Sequence, residues 1–197
     1  MTPHAHGQHR NPEDLDSYIA RMEDPDRGEW QKPDEVLRVL QLAPGQVACD
    51  IGAGPGYFTL RMARTAGQVF AVDVEPRMLQ GLIKRVVKSG LRNVTPVFAV
   101  DDDPLIPLGS CDLILVANTY HHFPDGPAYL RRLARSLKPG GRIANVDFHK
   151  RELPMGPPVE HKVSRDDFLR DARAAGLELS EEHDFLPNQY FLVLRPR

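Results

Sequence analysis

The sequence predicts an α/β fold: a doubly wound, seven-stranded mixed sheet, mostly parallel, with an antiparallel C-terminal hairpin strand. Three observations carry this expectation. From Val47 onward, short apolar runs alternate with stretches whose apolar residues recur at helical spacing. The first of these runs ends in a glycine turn, Asp50-Ile51-Gly52-Ala53-Gly54-Pro55-Gly56. The last two runs are joined only by a short turn at Pro187-Asn188, so they must fold back on each other. Strands separated by helices pair in parallel through right-handed crossovers, whereas the final hairpin adds a strand in the opposite sense.

Residues 1–43 read as a leader followed by lid helices. The opening is polar to about Pro12, and its His4, His6 and His9 lack a fourth ligand or a rigid frame, so they read as leader and no metal is expected. Asp14 to Met22 suits a short amphipathic helix. Pro33 to Leu40 suits another, with Pro33 in its first turn and Val36, Leu37 and Leu40 on one side.

Residues 44–197 then form the main domain. Val47 to Ile51 is the first strand, Tyr57 to Thr65 a helix and Val69 to Val74 the second strand. Arg77 to Ser89 follows as a helix, with Met78, Leu79, Leu82, Ile83 and Val86 at helical spacing. Val94 to Val100 and Leu113 to Asn118 are strands three and four; Pro127 to Leu137 is a helix stopped by Pro139-Gly140-Gly141. Arg142 to Phe148 is strand five. Beyond a proline-rich loop, a helix from Arg165 to Ala175 ends at Gly176, and Glu178 to Phe185 and Tyr190 to Leu194 form the hairpin.

With 197 residues and 41% hydrophobic content, the chain fills one core and is too short for two ordinary domains. Its 25 lysines and arginines are balanced by 27 acidic residues, so the positive surplus that phosphate-backbone binding needs is missing and no nucleic-acid partner is expected. No run approaches the ~18 consecutive apolar residues of a membrane span. Met1-Thr2-Pro3-His4 opens no signal peptide, and a cytoplasmic protein without a membrane partner is expected. Cys49 and Cys111, both inside apolar runs, read as core thiols of a reduced compartment. An exposed terminal hairpin leaves monomer and homodimer both open.

Ligands of doubly wound sheets sit at the carboxyl ends of the strands, near the point where strand order reverses. The residues there are Asp50 to Gly56, Asp73, Asp101 to Asp103, Asn118 to His122, and Phe148 to Arg151. Gly52, Gly54 and Gly56 let the backbone bend tightly and approach a ligand, and the following helix is expected to offer free amides to a phosphate or carboxylate. A dinucleotide fingerprint would need a glycine at position 57, where this chain has Tyr57, so the spacing opposes NAD. Asp50 repels a pyrophosphate but suits an ammonium group. Asp73 closes the second strand near the offset at which an acidic residue bonds ribose hydroxyls; alone it reads as well as a cap, and beside the glycine turn it reads as a nucleoside contact.

Taken together, Val47-Ala48-Cys49-Asp50-Ile51-Gly52-Ala53-Gly54-Pro55-Gly56-Tyr57-Phe58-Thr59 resembles the first motif of the class I S-adenosylmethionine-dependent methyltransferases. Ala71 to Leu79 is similar to that family's ribose-binding stretch, Cys111 to Leu115 to its fourth strand, and Leu137 to Arg142 to the turn before its fifth. The likeness covers roughly Pro44 to Phe148 and the terminal hairpin, and it implies a Rossmann-like sheet and S-adenosyl-L-methionine as cofactor. By that resemblance Gly52, Gly54 and Gly56 hold the methionine part, Asp50 its amino group directly or through water, and Asp73 the ribose, with Ala53 and Val74 in the cofactor set beside them. Met78 packs on adenine, and Asn118 joins the cofactor set. The family's adenine-reading acid after strand three is shifted here by about one position, which makes it Asp101, with Asp102 as substitute. The run of aspartates also admits a magnesium reading, although adjacent carboxylates point in different directions and more readily form a solvated turn.

Asn118-Thr119-Tyr120-His121-His122-Phe123 follows strand four, where the family's transferred methyl group meets its acceptor. An imidazole there can take a proton from an oxygen, nitrogen or sulfur nucleophile, because its ordinary pKa of about 6.5 keeps it largely neutral at neutral pH. His121 is the first choice and His122 the second; an anchoring role for one of the pair weighs equally. Tyr18, Trp30, Tyr120 and Phe123 are candidate walls of an acceptor pocket, with ordinary packing the competing reading for Tyr18 and Trp30, and His149 is a candidate substrate contact. The expected partner is a small-molecule methyl acceptor. Two rivals remain open at this point: a non-catalytic S-adenosylmethionine or S-adenosylhomocysteine-binding module, and a nicotinamide-dependent oxidoreductase.

Overall fold

Seven strands lie in one sheet with the order β3-β2-β1-β4-β5-β7-β6. They are β1 (Val47–Ile51), β2 (Gln68–Asp73), β3 (Val94–Phe98), β4 (Cys111–Ala117), β5 (Leu137–Phe148), β6 (Leu177–His183) and β7 (Gln189–Pro196). β1 pairs with β2 and β4, β2 with β3, and β4 with β5, all in parallel. β7 is inserted between β5 and β6 and runs antiparallel to both, as the short turn before it requires. The strand order reverses between β1 and β4, so the carboxyl ends of those two strands form the crevice where ligands of this architecture bind.

The computed structural model describes residues 14–22, 24 and 26–197, with the backbone alone at 15 and 16. His4, His6 and His9 lie outside the described residues. Before the sheet come α1 (Leu15–Met22), α2 (Arg27–Gln31) and α3 (Pro33–Leu40); between and after the strands lie α4 (Thr59–Met62), α5 (Pro76–Ser89), α6 (Gly126–Ser136) and α7 (Arg165–Ala174). Side chains cap several of them: Glu75 accepts from the Arg77 amide at α5, Asp125 from Ala128 at α6, and Ser164 from Asp167 at α7. No helix of the described residues is long and apolar enough to cross a membrane.

Alternation along the strands divides the core in two. Cys49, Ile51, Ile114, Val116 and Ile143 pack on one face against Leu130 and Leu133 of α6 and Phe168 of α7. Ala48, Leu113, Leu115 and Val146 pack on the other against Val36 and Leu40 of α3 and Met62 of α4. Both cysteines are free and buried.

Several boundaries differ from the sequence reading. The helix expected from Tyr57 shrinks to Thr59–Met62, because the backbone through Pro55 and the left-handed Gly56 is spent in turns. β3 stops at Phe98 rather than Val100, and an antiparallel bridge between Val100 and Asp103 closes a tight turn instead. β5 starts at Leu137, since Leu137 already pairs with Cys111 before a bulge takes up Pro139-Gly140-Gly141 and pairing resumes at Arg142. α2 has no counterpart in the sequence reading.

Candidate active site

Gly52 (φ 69), Gly54 (φ 54) and Gly56 (φ 94) all occupy the left-handed region. A Cβ on Gly52 would stand 2.3 Å from Thr119 Oγ1, and one on Gly56 would stand 2.4 Å from Leu82 Cδ1. Glycine therefore does two things at once here: it permits the bend, and it lets the loop after β4 sit directly on the turn. The amides of the turn itself are engaged. Gly52 and Ala53 each donate to the Val72 carbonyl at 2.9 Å, Gly56 donates to the Ala53 carbonyl at 3.0 Å, and Gly54 donates to Asp73 Oδ2 at 2.8 Å. The turn folds back onto β2 and satisfies itself, while α4 is too short to add a useful dipole.

Asp50 ends β1 on the α3 and α4 side and is 2% exposed. Thr59 Oγ1 donates to its Oδ2 at 2.6 Å. Burial pushes this carboxyl up to about 6, and the Thr59 hydrogen bonds and the Arg27 charge pull the other way. The carboxylate of Asp73 accepts from the Gly54 amide and, at 2.9 Å, from the Glu75 amide. Burial raises Asp73 as well, with those amides opposing the shift. A carboxylate has about four lone-pair sites, so two remain on Asp73 for hydroxyl groups. Val74 is exposed beside it, and Met78 of α5 is buried.

Above the turn lie α1 and α2. Met22 Sδ is 3.4 Å from where a Gly54 Cβ would stand. The Arg27 guanidinium lies 3.9 Å from the Tyr57 ring centroid, donates through Nε to Gln31 Oε1 at 2.6 Å and through Nη1 to the Met22 carbonyl at 2.9 Å. Burial lowers it to about 10, opposed by Tyr57, Asp50 and Tyr18. The Tyr18 hydroxyl is pushed up by burial, with Arg27 opposing and Asp73 adding to the shift. The Trp30 ring lies 5.6 Å from that of Phe148. Tyr18 and Arg27 thus share the electrostatic neighbourhood of Asp50 and Asp73, and Trp30 stands over the end of β5.

After β4 the chain passes through Asn118 in the left-handed region (φ 55) and into a 3-10 turn over Tyr120–His122. Tyr120 is a correction to the sequence reading. It is fully buried, donates to Asp171 Oδ2 at 2.8 Å and meets the Phe168 ring edge-on, so it belongs to the α6 and α7 core and not to a pocket wall. Phe123, stacked 4.0 Å from Tyr129, is buried with it. His121 is also buried, but its Nδ1 lies 3.1 Å from both oxygens of Asp147 on β5. That carboxylate also accepts from the Phe148 amide at 2.8 Å. A carboxylate facing Nδ1 selects the tautomer with its proton there and leaves Nε2 as the acceptor. Nε2 has no hydrogen-bond partner among the described residues. The His122 ring lies 4.3 Å from that of His121. His149, half-buried, sits 6.1 Å from Tyr190, and burial lowers its pKa with Arg151 adding to the effect.

Asp101 and Asp102, the expected adenine-side acids, lie in the turn after β3. The Val100–Asp103 bridge throws both onto the surface, and Asp102 and Asp103 pair with Arg132 of α6 at 3.2 and 2.8 Å.

Sequence reading missed Arg27, Gln31, Thr59, Asp147 and Gln189. Asp147 left a signal, since a lone carboxylate inside the apolar run from Arg142 to Phe148 must be buried and therefore needs a partner. The two glutamines left none, because each lies at an element end where a polar residue is ordinary.

Comparison with known proteins fits this geometry. A family model described as a methyltransferase domain matches residues 49–145. A ubiquinone biosynthesis O-methyltransferase of Xanthomonas axonopodis pv. citri is 30% identical over an alignment of 211 positions, covering 90% of this chain and 85% of the relative. The chain belongs to the S-adenosylmethionine-dependent methyltransferase family. A crystal structure of a member from Aquifex aeolicus superimposes with a TM-score of 0.85 at 27% identity, covering 90% of this chain and 96% of that one. A 27-O-demethylrifamycin SV methyltransferase of Amycolatopsis mediterranei is 30% identical over 167 residues, 77% of this chain, which spans only 61% of that relative. The fold alone does not fix chemistry: the [4+2]-cyclase SpnF superimposes with a TM-score of 0.72 at 19% identity, covering 84% of this chain and 80% of that one.

The family and fold imply S-adenosyl-L-methionine as cofactor, and the donor set of this methyltransferase chain suits it. Asp50 and Asp73 put two carboxylates beside a turn that glycine keeps open, which favours a cationic nucleoside. Arg27 is a cation in the same cluster for a carboxylate tail. Because the turn's own amides are taken, the tail must rely on side chains more than the sequence suggested.

Proposed function

We propose that this chain transfers the methyl group of S-adenosyl-L-methionine to an oxygen, nitrogen or sulfur atom of a small molecule by direct in-line displacement. The single observation that carries the reading is the His121–Asp147 pair, buried at the carboxyl edge within one turn of the residue that packs on Gly52. When bound, the cofactor supplies an electrophilic methyl group on a sulfonium. The rest falls to the protein's own residues. Asp73 holds the ribose through its two remaining lone-pair sites, Val74 and Met78 border the base, and Asp50 and Arg27 hold the amino-acid end. α1 and α2 act as the cover of residues 1–43 that keeps water from the sulfonium. His121 Nε2 would take the proton of the acceptor's attacking heteroatom. Asp147 fixes the ring and stabilises the imidazolium that results, as a carboxylate does in other base dyads.

The O-methyltransferase relatives support an oxygen acceptor among the three. Titration calorimetry with S-adenosylhomocysteine, followed by a panel of phenols, amines and thiols with labelled S-adenosylmethionine, tests the proposal. Saturable cofactor binding and label in at least one product are expected. Binding without transfer to any acceptor supports the non-catalytic module instead, and tight NADH binding without a response to S-adenosylhomocysteine overturns the reading.

A further inference from the structure

Gln31 ends α2 and Gln189 begins β7, and both side chains are essentially inaccessible, at 0% and 1% exposure. Asn118, at the end of β4, stands between them. Its Nδ2 donates to Gln31 Oε1 at 3.5 Å, and Gln189 Nε2 donates to its Oδ1. The direction of this run is fixed from one end. Arg27 has only protons to offer, so Gln31 must turn its oxygen to Arg27 Nε. Asn118 then has to present its NH2 to that same oxygen, which turns the Asn118 oxygen to Gln189. Two buried atoms are left over: Gln31 Nε2, a donor, and Gln189 Oε1, an acceptor, neither with a partner among the described residues. Leaving both buried groups unpaired is costly, so a polar occupant is expected to satisfy them.

We infer that Gln31, Asn118 and Gln189 form the recognition site for the methyl acceptor, and that the acceptor is a neutral molecule carrying a hydrogen-bond acceptor beside a donor, such as a hydroxyl next to a carbonyl or a second hydroxyl. This rests on the methyl-transfer reading and names the substrate class for it. Charge complementarity excludes the alternatives. A carboxylate placed here meets the Gln189 carbonyl oxygen, and an ammonium meets the Gln31 NH2; a neutral hydroxyl, or a hydroxyl beside a carbonyl or a second hydroxyl, satisfies both. The location is consistent with the chemistry, since Asn118 directly precedes Thr119, which packs on Gly52, and lies three residues before His121.

Side-chain amide resonances of 15N-labelled protein provide the test, read first with saturating S-adenosylhomocysteine and then with a probe added. Catechol offers the paired groups, whereas 1,2-dimethoxybenzene has a similar shape but no proton to donate. Catechol at millimolar concentration is expected to shift the Gln31 and Gln189 NH2 signals saturably, and the dimethoxy compound to leave them in place. Gln189→Met should weaken catechol binding about tenfold, the worth of one net hydrogen bond, with the affinity for S-adenosylhomocysteine unchanged; Gln31→Met should weaken catechol binding as well and, because Gln31 also holds Arg27, should lower the affinity for S-adenosylhomocysteine with it. The wild-type spectra stand on their own if either variant fails to fold. The inference is overturned if both amides respond to S-adenosylhomocysteine alone, if the two probes act alike, or if neither shifts the amides, the last leaving a site for water only. No binding of S-adenosylhomocysteine in the first step takes down the methyl-transfer reading itself, and this inference with it.

Discussion

Where β1 and β2 end, the polar groups of the site already hold one another: Asp73 takes the Gly54 and Glu75 amides, Asp50 takes Thr59, and the Gly52 and Ala53 amides take Val72. Where β4, β5 and β7 end, the buried polar groups are only half satisfied. Gln31 and Gln189 each keep an unpaired atom, and His121 keeps an unbonded ring nitrogen among the described residues. The first region is set before any ligand arrives, through backbone geometry that only glycine permits. The second is held together by side chains from four separate elements, α2, β4, β5 and β7. A pre-set half suits an invariable cofactor, and an incomplete half suits a substrate that must be told apart from others.

The sharpest way to separate the halves is to disable one chemically. His121→Asn is expected to lower kcat about 10²- to 10⁴-fold while leaving S-adenosylhomocysteine affinity unchanged, because the proton acceptor is lost and the glycine-turn region is untouched. Asp147→Asn should lower kcat less, with partial rescue by Asp147→Glu, since Asp147 acts through the ring it positions. Steady-state kinetics beside calorimetry checks both. A fall in cofactor affinity equal to the fall in kcat would show that the two regions are one unit.

The next effect belongs to the cofactor half. Asp50 rises from an ordinary value of 3.8 to about 6 on burial. Between those two values the folded chain holds a proton that the unfolded chain has released, so this group's contribution to stability falls by about 3 kcal/mol as pH rises through about 6. Binding of an ammonium group favours the ionised form. S-adenosylhomocysteine affinity is therefore expected to rise about tenfold per pH unit up to about pH 6 and then level off. Asp50→Asn should flatten that profile, and it should raise the melting temperature at pH 7 relative to the unsubstituted chain. Denaturation and calorimetry across pH 5 to 8 decide it, and a profile unchanged by the substitution removes Asp50 from the cofactor's amino group.

The same contrast explains what was legible in the sequence. The sheet, its antiparallel end and the glycine turn follow from local pattern, since periodicity and the Gly52-Ala53-Gly54-Pro55-Gly56 spacing act over a few residues. The use of the turn's amides was not legible, because whether they face a ligand or Val72 depends on how β2 lies beside them. The His121–Asp147 pair joins residues 26 positions apart and the Asn118–Gln189 contact residues 71 apart, and nothing local marks either. The end of β3 was not legible either, because it is set by pairing with β2, which stops at Phe98.

Tyr120 offers a smaller and cleaner contrast with its neighbour His121. One lies in the core and the other in the proposed active site, although they are adjacent in sequence. Tyr120→Phe removes only the hydroxyl that donates to Asp171 and should cost about 2 kcal/mol of folding stability, the range for a hydrogen bond to a charged group. KM for whatever acceptor is found should not change. Urea denaturation gives the first quantity, and a raised KM with unchanged stability would return Tyr120 to the pocket wall.

The smallest expected effect tests the outer limit of the cofactor half. Arg132 reaches from α6 to Asp102 and Asp103 with its own side chain 42% exposed and that of Asp102 73% exposed. Exposed pairs of this kind contribute about 0–1 kcal/mol, because solvent screens them and long side chains lose freedom in making them. Arg132→Ala should therefore change stability by less than about 1 kcal/mol, and less still at high salt. It should leave S-adenosylhomocysteine affinity where it was, because the carboxylates it releases lie in the turn after β3 and reach solvent. If affinity instead improves when Arg132 is removed, the freed Asp102 has swung to the base edge, and the ion pair would then be a competitor of the cofactor rather than a fastening of the loop.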